Sequence, residues 1–277
     1  MEVIKGNGER EEFDRSKLLN SLINSGTTTI LSDEIVHKIE SEISDGDSTN
    51  TIYKKAFELL HDKERRSALK YSMKRSILTL GPTGFPFEEF VAEILREKGY
   101  KTLRSQLLKG KCLEHEIDVV AHDEHEFLVI EAKFHNQIGA KSDSKVALYI
   151  KARFDDLETE TFDINGEKRK MTKGILITNT KFTDNALKYV DCVGKFEVIS
   201  WDHPKNGSLH DMINDTGLQP ITCVPNLSNN QKRELLDRGL VSCRSLKNNE
   251  KILKEIGLSG DEISEIIDNI DLICSTK

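Results

Sequence analysis

Apolar residues recur at helical spacing through the first eighty positions, after a short extended opening. Val3–Lys5, a Gly6-Asn7-Gly8 turn and Glu12–Phe13 predict a β-hairpin. Asp14 or Ser16 then caps a helix that carries Leu18, Leu19, Leu22 and Ile23 on one face and stops at Gly26. Ser32 is the expected cap of a second helix, with Asp33 and Glu34 in its first turn and Ile35, Val36, Ile39 and Ile43 as its apolar stripe. A third helix is expected from about Asn50 to Leu60 and a fourth from about Asp62 to Leu80.

Two glycines and two prolines within Gly81-Pro82-Thr83-Gly84-Phe85-Pro86 interrupt the helical pattern and predict a linker over 81–86. Helix Phe87–Lys98 follows, stopped by Gly99. Strands are then expected near Tyr100–Leu107, Ile117–Ala121 and Glu126–Phe134, and a long helix near Ser142–Leu157. Asn165-Gly166 signals a hairpin or a loop excursion. Strand Gly174–Thr178, helix Thr183–Val190 and strand Glu197–Trp201 complete an αβββαβαβ order, which predicts a mixed sheet with helices on its faces. From about Leu209 the pattern is helical again, with helices at Asn229–Arg238, Asn249–Ile256 and Asp261–Ile273. Gly239 and Gly257 close the first two, a spacing that looks like helix-hairpin-helix units. The expected organisation is multidomain α/β: a mostly helical unit with a small hairpin at 1–80, a mixed-sheet unit at 87–208 and a helical tail at 209–277.

With 277 residues, 37% of them hydrophobic, the chain is long enough for this organisation and too apolar for disorder. Its apolar runs are strand-sized, so no membrane span is expected, and no secretory signal opens it. Five scattered cysteines without a CxxC pair argue for a reducing compartment, and a cytoplasmic location is expected. The net charge of −7 disfavours nucleic acid as a partner, but the distribution changes that picture. Arg96–Lys111 holds six basic residues against one acid, while Leu113–Glu131 holds seven acids and no Lys or Arg. A basic surface beside an acidic cluster suits a protein that grips a polyanion and holds a cation next to it.

The acidic stretch carries the candidate chemistry. On a strand, Glu131 and Lys133 point to one face, and the apolar residues around them imply a covered central strand. Charges there are costly unless paired with each other or with a metal. Asp118, on the preceding strand, would add a third charge at the same spot. Two carboxylates and a lysine at one sheet end suit divalent-metal-assisted phosphodiester hydrolysis, and a salt bridge at the rim of an edge strand is the plain alternative.

Glu88, Ile117-Asp118-Val119-Val120-Ala121 and Ile130-Glu131-Ala132-Lys133, in this element order, resemble the PD-(D/E)xK nuclease superfamily, specifically its Mrr-type restriction endonuclease branch, from Phe85 to about Trp201. The resemblance implies Asp118, Glu131 and the Ala132 carbonyl as ligands of Mg²⁺ or Mn²⁺. It implies Lys133 as the catalytic lysine and Glu88, or the adjacent Glu89, as the supporting helix carboxylate. Ile117 stands where the motif's name has proline. Lys141, Lys145, Lys151 and Arg153, taken to lie on the following helix, are candidate contacts to a DNA backbone, with a merely solvated face as the alternative.

The first unit is similar to the ATP-cone, the nucleotide-sensing module of ribonucleotide reductases, through Val3-Ile4-Lys5, Gly8, Glu11, Phe13-Asp14, Lys17-Leu18-Leu19, Thr49, Ile52, Tyr71 and Lys74-Arg75. The likeness implies Lys5 and Lys17 on the phosphates of ATP or dATP, Glu11 and Asp14 near base or ribose, and Thr49 and Tyr53 lining the pocket. Gly6 departs from the arginine that commonly follows that lysine. The tail, with seven basic residues against three acids over Leu227–Lys254, is either a DNA-binding or a packing unit, and the acidic helix after it would face solvent or a partner. Together these features predict a metal-dependent DNA endonuclease, a homo-oligomer regulated by ATP or dATP. The alternatives are a nucleotide-sensing DNA-binding regulator with a non-catalytic nuclease fold, or RNA as the substrate.

Overall fold

The computed structural model describes residues 1–6 and 8–274. Strand β1 (Glu2–Ile4) pairs antiparallel with β2 (Arg10–Glu12) as expected, while Asn7 of the intervening turn lies outside the described residues. Asp14 caps α1 (Arg15–Asn24), its Oδ1 accepting from the Ser16 and Lys17 amides at 2.9 and 3.3 Å. Helix α2 (Thr29–Glu42) begins a turn earlier than expected. Thr28 is its cap, accepting from the Leu31 amide, and Ser32 is buried inside it. Ser48 caps α3 (Thr49–Lys63). The expected fourth helix is two, α4 (Arg65–Tyr71) and α5 (Met73–Leu78), parted at Ser72, whose hydroxyl bonds back to the Leu69 carbonyl at 2.7 Å and competes with the helix ladder.

That break redirects the chain between two cores. Leu18, Leu22, Ile35, Ile39, Ile52 and Leu60 fill a core confined to the first unit. Leu69, Met73, Ile77 and Leu80 instead join Phe87, Phe90, Val91 and Ile94 of α6 (Phe85–Glu97). In packing terms the second unit therefore begins before the Gly/Pro linker.

A five-stranded sheet positions the candidate site. Its strands are β3 (Lys101–Lys109), β4 (Glu114–His122), β5 (Phe127–Lys133), then, beyond β6 (Lys141–Ser142), helix α7 (Ser144–Leu157) and the hairpin β7 (Thr161–Ile164) and β8 (Glu167–Lys170), strand β9 (Lys173–Thr178). After β10 (Lys181–Phe182) and α8 (Asp184–Val193), β11 (Glu197–Ile199) completes it. The order is β11-β9-β5-β4-β3, antiparallel from β3 to β5 and parallel from β5 to β11. Asn165 and Gly166, both at positive φ, make the two-residue β7–β8 turn that the sequence signals. Alternation along β5 sends Ile130 toward α6 and Val129 toward α7 and α8, so both faces are covered.

The tail is helical, as expected, with α9 (Leu209–Thr216), a 3₁₀ turn at Ile221–Cys223, α10 (Asn229–Asp237), α11 (Cys243–Lys247), α12 (Lys251–Glu255) and α13 (Gly260–Cys274). Helix α11 is not foreseen, because five residues are too few to show a period. Leu235, Leu246, Leu253, Ile266 and Ile270 are buried in the same core as α5 and α6, so the tail is packed onto the sheet unit. Its last helix, expected to face solvent or a partner, buries one side there, and Glu265 faces Arg65 of α4 at 3.8 Å. No helix among the described residues is long and apolar enough to cross a membrane.

Candidate nuclease site and nucleotide-sensing domain

The site lies where β4 and β5 stop pairing. Their last registered pair is Val119 with Ile130. One residue further, the Asp118 Oδ2 takes the ladder's next hydrogen bond, accepting from the Ala132 amide at 2.7 Å. On the other side of β4, Ser105 of β3 has a positive φ of 48° and stands between the pairs Arg104–Val119 and Gln106–Ile117, opposite Asp118, where the ladder skips one position.

Glu131 and Lys133 share the β5 face that looks toward α7, and Arg153 of α7 donates to Glu131 Oε2 at 2.9 Å. The other oxygen, Oε1, is buried without a hydrogen-bond partner. Asp118, Glu131, Ala132 and Lys133 line one cavity of about 420 Å³ with Tyr149 and Arg153. Lys133 is exposed at its mouth. Burial, reinforced by the Asp118 charge and opposed by Arg153, pushes the Glu131 carboxyl up to about 8. Burial also raises Asp118, against the Ala132 amide, Arg153 and Lys133.

Glu88 does not line this cavity; it comes from α6, on the opposite face of the sheet. It is buried, and burial followed by the Asp118 charge lifts it to about 7. A Cβ at Gly84 would lie 3.1 Å from its Oε1, so the glycine leaves that carboxylate its space. Its neighbour Glu89 is neutralised by Arg96 and by Arg104 at 2.5 Å. Of the two adjacent acids, Glu88 is the one electrostatically joined to Asp118 and Glu131.

The donors fit a hard divalent cation. Carboxylates held at raised pKa values, one with a buried oxygen that nothing satisfies, are destabilised in their charged forms, and a cation offsets that cost. The preassembly is partial. Arg153 occupies one Glu131 oxygen, and among the described residues no group of three or more His, Cys, Asp or Glu is gathered for a metal.

In the first unit, Lys5 and Lys17 both turn onto Glu11, at 2.9 and 3.1 Å, and Lys5 also reaches Glu9. Asp14 is spent on capping α1. Ile4 bridges to Ser48, which sets the hairpin beside Thr49 at the start of α3. Tyr53 stacks on Tyr71 at 5.2 Å, and the Arg75 guanidinium covers its ring at 3.6 Å. Burial raises the Tyr53 hydroxyl to about 12. Gly6 approaches the sheet unit: a Cβ there would lie 3.1 Å from Cβ of Ile138, in the loop that follows the Lys133 strand.

Comparison with known proteins places these units. The ATP cone domain family matches residues 1–77, the restriction endonuclease family of the Mrr catalytic type matches 82–205, and the AF1548-like C-terminal family matches 220–274. An uncharacterized protein of Archaeoglobus fulgidus is 37% identical over 178 residues, covering 64% of this chain and 95% of that protein. A solved structure described as the crystal structure of a protein of unknown function, AF1548, is 35% identical, covers 69% of this chain and 98% of that one, and superposes with a TM-score of 0.55. The chain belongs to this AF1548-like family. It joins a restriction-endonuclease-like domain of the Mrr type to an ATP-cone, a nuclease-like fold with a nucleotide-sensing domain.

Within that family frame, the four cations expected to share a DNA-facing helix are dispersed. Lys141 lies in β6, before the helix. Lys151 is buried and paired with Asp155, four residues on, so it is withdrawn from any DNA surface. Arg153 points inward to Glu131, and Lys145 stays at the cavity. Helical periodicity tells which residues share a side but not whether that side is turned inward. The basic tail is likewise partly neutralised: Arg238 pairs with Glu234 and Glu255, Lys247 with Asp271 and Arg244 with Glu97. Arg153 as the counter-ion of Glu131 and the Gly6–Ile138 approach escape sequence reasoning. Each depends on two segments more than 20 residues apart.

Proposed function

We propose that this protein is a divalent-metal-dependent DNA endonuclease whose activity is controlled by ATP or dATP at the cone. The observation that carries the reading is the convergence of Asp118, Glu131 and Lys133 on one cavity, with a buried Glu131 oxygen left without a partner. Asp118, Glu131 and the Ala132 carbonyl would hold Mg²⁺ or Mn²⁺, which when bound polarises the scissile phosphate and acidifies water. Lys133, at the cavity mouth, is placed to orient the attacking water and to stabilise charge developing on the phosphate. Glu88, buried behind Asp118 with a pKa near neutrality, is suited to hold a proton close to the site. Arg153 holds Glu131 in place.

The Gly6–Ile138 approach supports nucleotide control, because a rearrangement of the Lys5 hairpin bears on the loop that follows Lys133. An effector that prefers one arrangement shifts the population toward it. We place the active form as a homo-oligomer, since cutting both strands of a duplex needs two sites.

The test is plasmid digestion with Mg²⁺ or Mn²⁺, with and without ATP and dATP, beside Lys133→Ala and Asp118→Ala. Cleavage by wild type that disappears in both variants, while DNA binding and folding persist, is the expected result. Equal nicking by wild type and Lys133→Ala, or none under any nucleotide, refutes the catalytic assignment.

A further inference from the structure

Three cations without a carboxylate partner among the described residues line one cavity at the junction of the cone with the C-terminal domain. The cavity, of about 610 Å³, is walled by Tyr53 and Arg75 from the cone, the Gly81–Thr83 linker, and Lys232 and Arg233 from α10. Asp237 is the one acid among its lining residues. Among the described residues none of the three cations makes an ion pair with a carboxylate. Arg75 donates to the Asn50 side chain and the Thr49 carbonyl while lying on Tyr53, and burial lowers the pKa of Lys232. Elsewhere in the tail Arg238, Arg244 and Lys247 are all paired. Lys5 of the cone's hairpin and Lys17 of α1 are already paired, since both share Glu11.

Cations that line one cavity without carboxylate partners are poised for an anion, and arginine's fork matches phosphate oxygens. We propose that Arg75, Lys232 and Arg233 form a binding site for a polyphosphate chain, that of a nucleoside triphosphate held by the cone, so that the C-terminal domain completes the effector site. This assignment rests on the nucleotide reading of the cone. It makes the effector a bridge between two domains, its phosphates held between Arg75 of the cone and α10. The cavity suits a single nucleotide rather than a duplex, having walls from the cone, the linker and α10.

The experiment is calorimetric titration of the full chain with inorganic tripolyphosphate and, separately, with ATP. Wild type is compared with Arg233→Ala, Lys232→Met, Lys5→Ala and Lys251→Ala, the last an exposed cation of the same domain outside the cavity. Tripolyphosphate binding is expected to weaken about tenfold or more in Arg233→Ala and Lys232→Met, as for loss of a charge-assisted hydrogen bond. Lys251→Ala should leave it unchanged. Arg233 is exposed, so its variant reports on binding even if Lys232→Met unfolds. Absence of tripolyphosphate binding, equal weakening in Lys251→Ala, or equipotent displacement by a short DNA duplex overturns the site. If ATP binds and only Lys5→Ala weakens it, the cone reading survives and the junction site falls. If tripolyphosphate binds as expected and ATP binds no tighter and ignores Lys5→Ala, the junction site stands for inorganic polyphosphate and the nucleotide reading falls.

Discussion

Replacing Glu131 by glutamine should remove a pH-dependent instability from the metal-free protein. The Glu131 carboxyl, ordinarily at 4.5, sits at about 8 in the folded chain, chiefly because it is buried and secondarily because Asp118 is close. Its folded pKa lies above the unfolded value, so within that window the folded state binds more protons than the unfolded one. The stabilisation is complete below about pH 4.5 and is lost as pH rises through about 8. Each pH unit inside the window removes about 1.4 kcal/mol, so wild type should lose roughly 2–3 kcal/mol between pH 6 and pH 9 from this group alone. Glutamine cannot ionise and keeps a carbonyl oxygen for Arg153, so its stability should be flatter by that amount. In thermal melts without divalent ions this corresponds to a difference of roughly 4–10 °C in the change of Tm between the two pH values. Adding Mg²⁺ or Mn²⁺ should raise the wild-type Tm more at pH 9 than at pH 6 and should affect Glu131→Gln little. Parallel melting profiles for the two proteins across this range, with and without the metal, would show that Glu131 is neither strained by burial nor a ligand.

Two further substitutions probe the scaffold. Gly174→Ala puts a Cβ 2.5 Å from the Phe154 ring and 2.8 Å from Met171 Cε, between β9 and α7, so it should cost about 1–3 kcal/mol and displace the helix that carries Arg153. An unchanged Tm would mean that this packing is looser than described. Gly6→Val crowds Ile138, and because that loop is exposed the stability loss should stay below about 1 kcal/mol. Nucleotide affinity should stay near wild type while the effect of ATP on cleavage changes, and an intact nucleotide response would remove the contact from the control mechanism.

Local chemistry made much of this chain legible. The apolar run along 127–134 marked a covered central strand, and the two-residue period of a strand put Glu131 and Lys133 on one face. Asn165-Gly166 announced its hairpin through the two positive φ angles, and Asp14 its cap through the amides it satisfies. The same local view misplaced the start of α2, where Thr28 competes with Ser32 as cap, and read one helix where Ser72 makes two. It also left the tail open between binding and packing, and the apolar face that α5 and α6 offer is what the tail packs against.

The order of elements, the central strand and the identity of the acidic and basic candidates follow from residue spacing and backbone preference, which act over a few positions. Which charges meet is a different matter. Arg153 on Glu131, Glu88 behind Asp118, Gly6 against Ile138 and the gathering of Arg75 with Lys232 all join segments tens to more than a hundred residues apart. Desolvation and charge pairing at such distances depend on which surfaces come to lie together, and only the packed chain decides that.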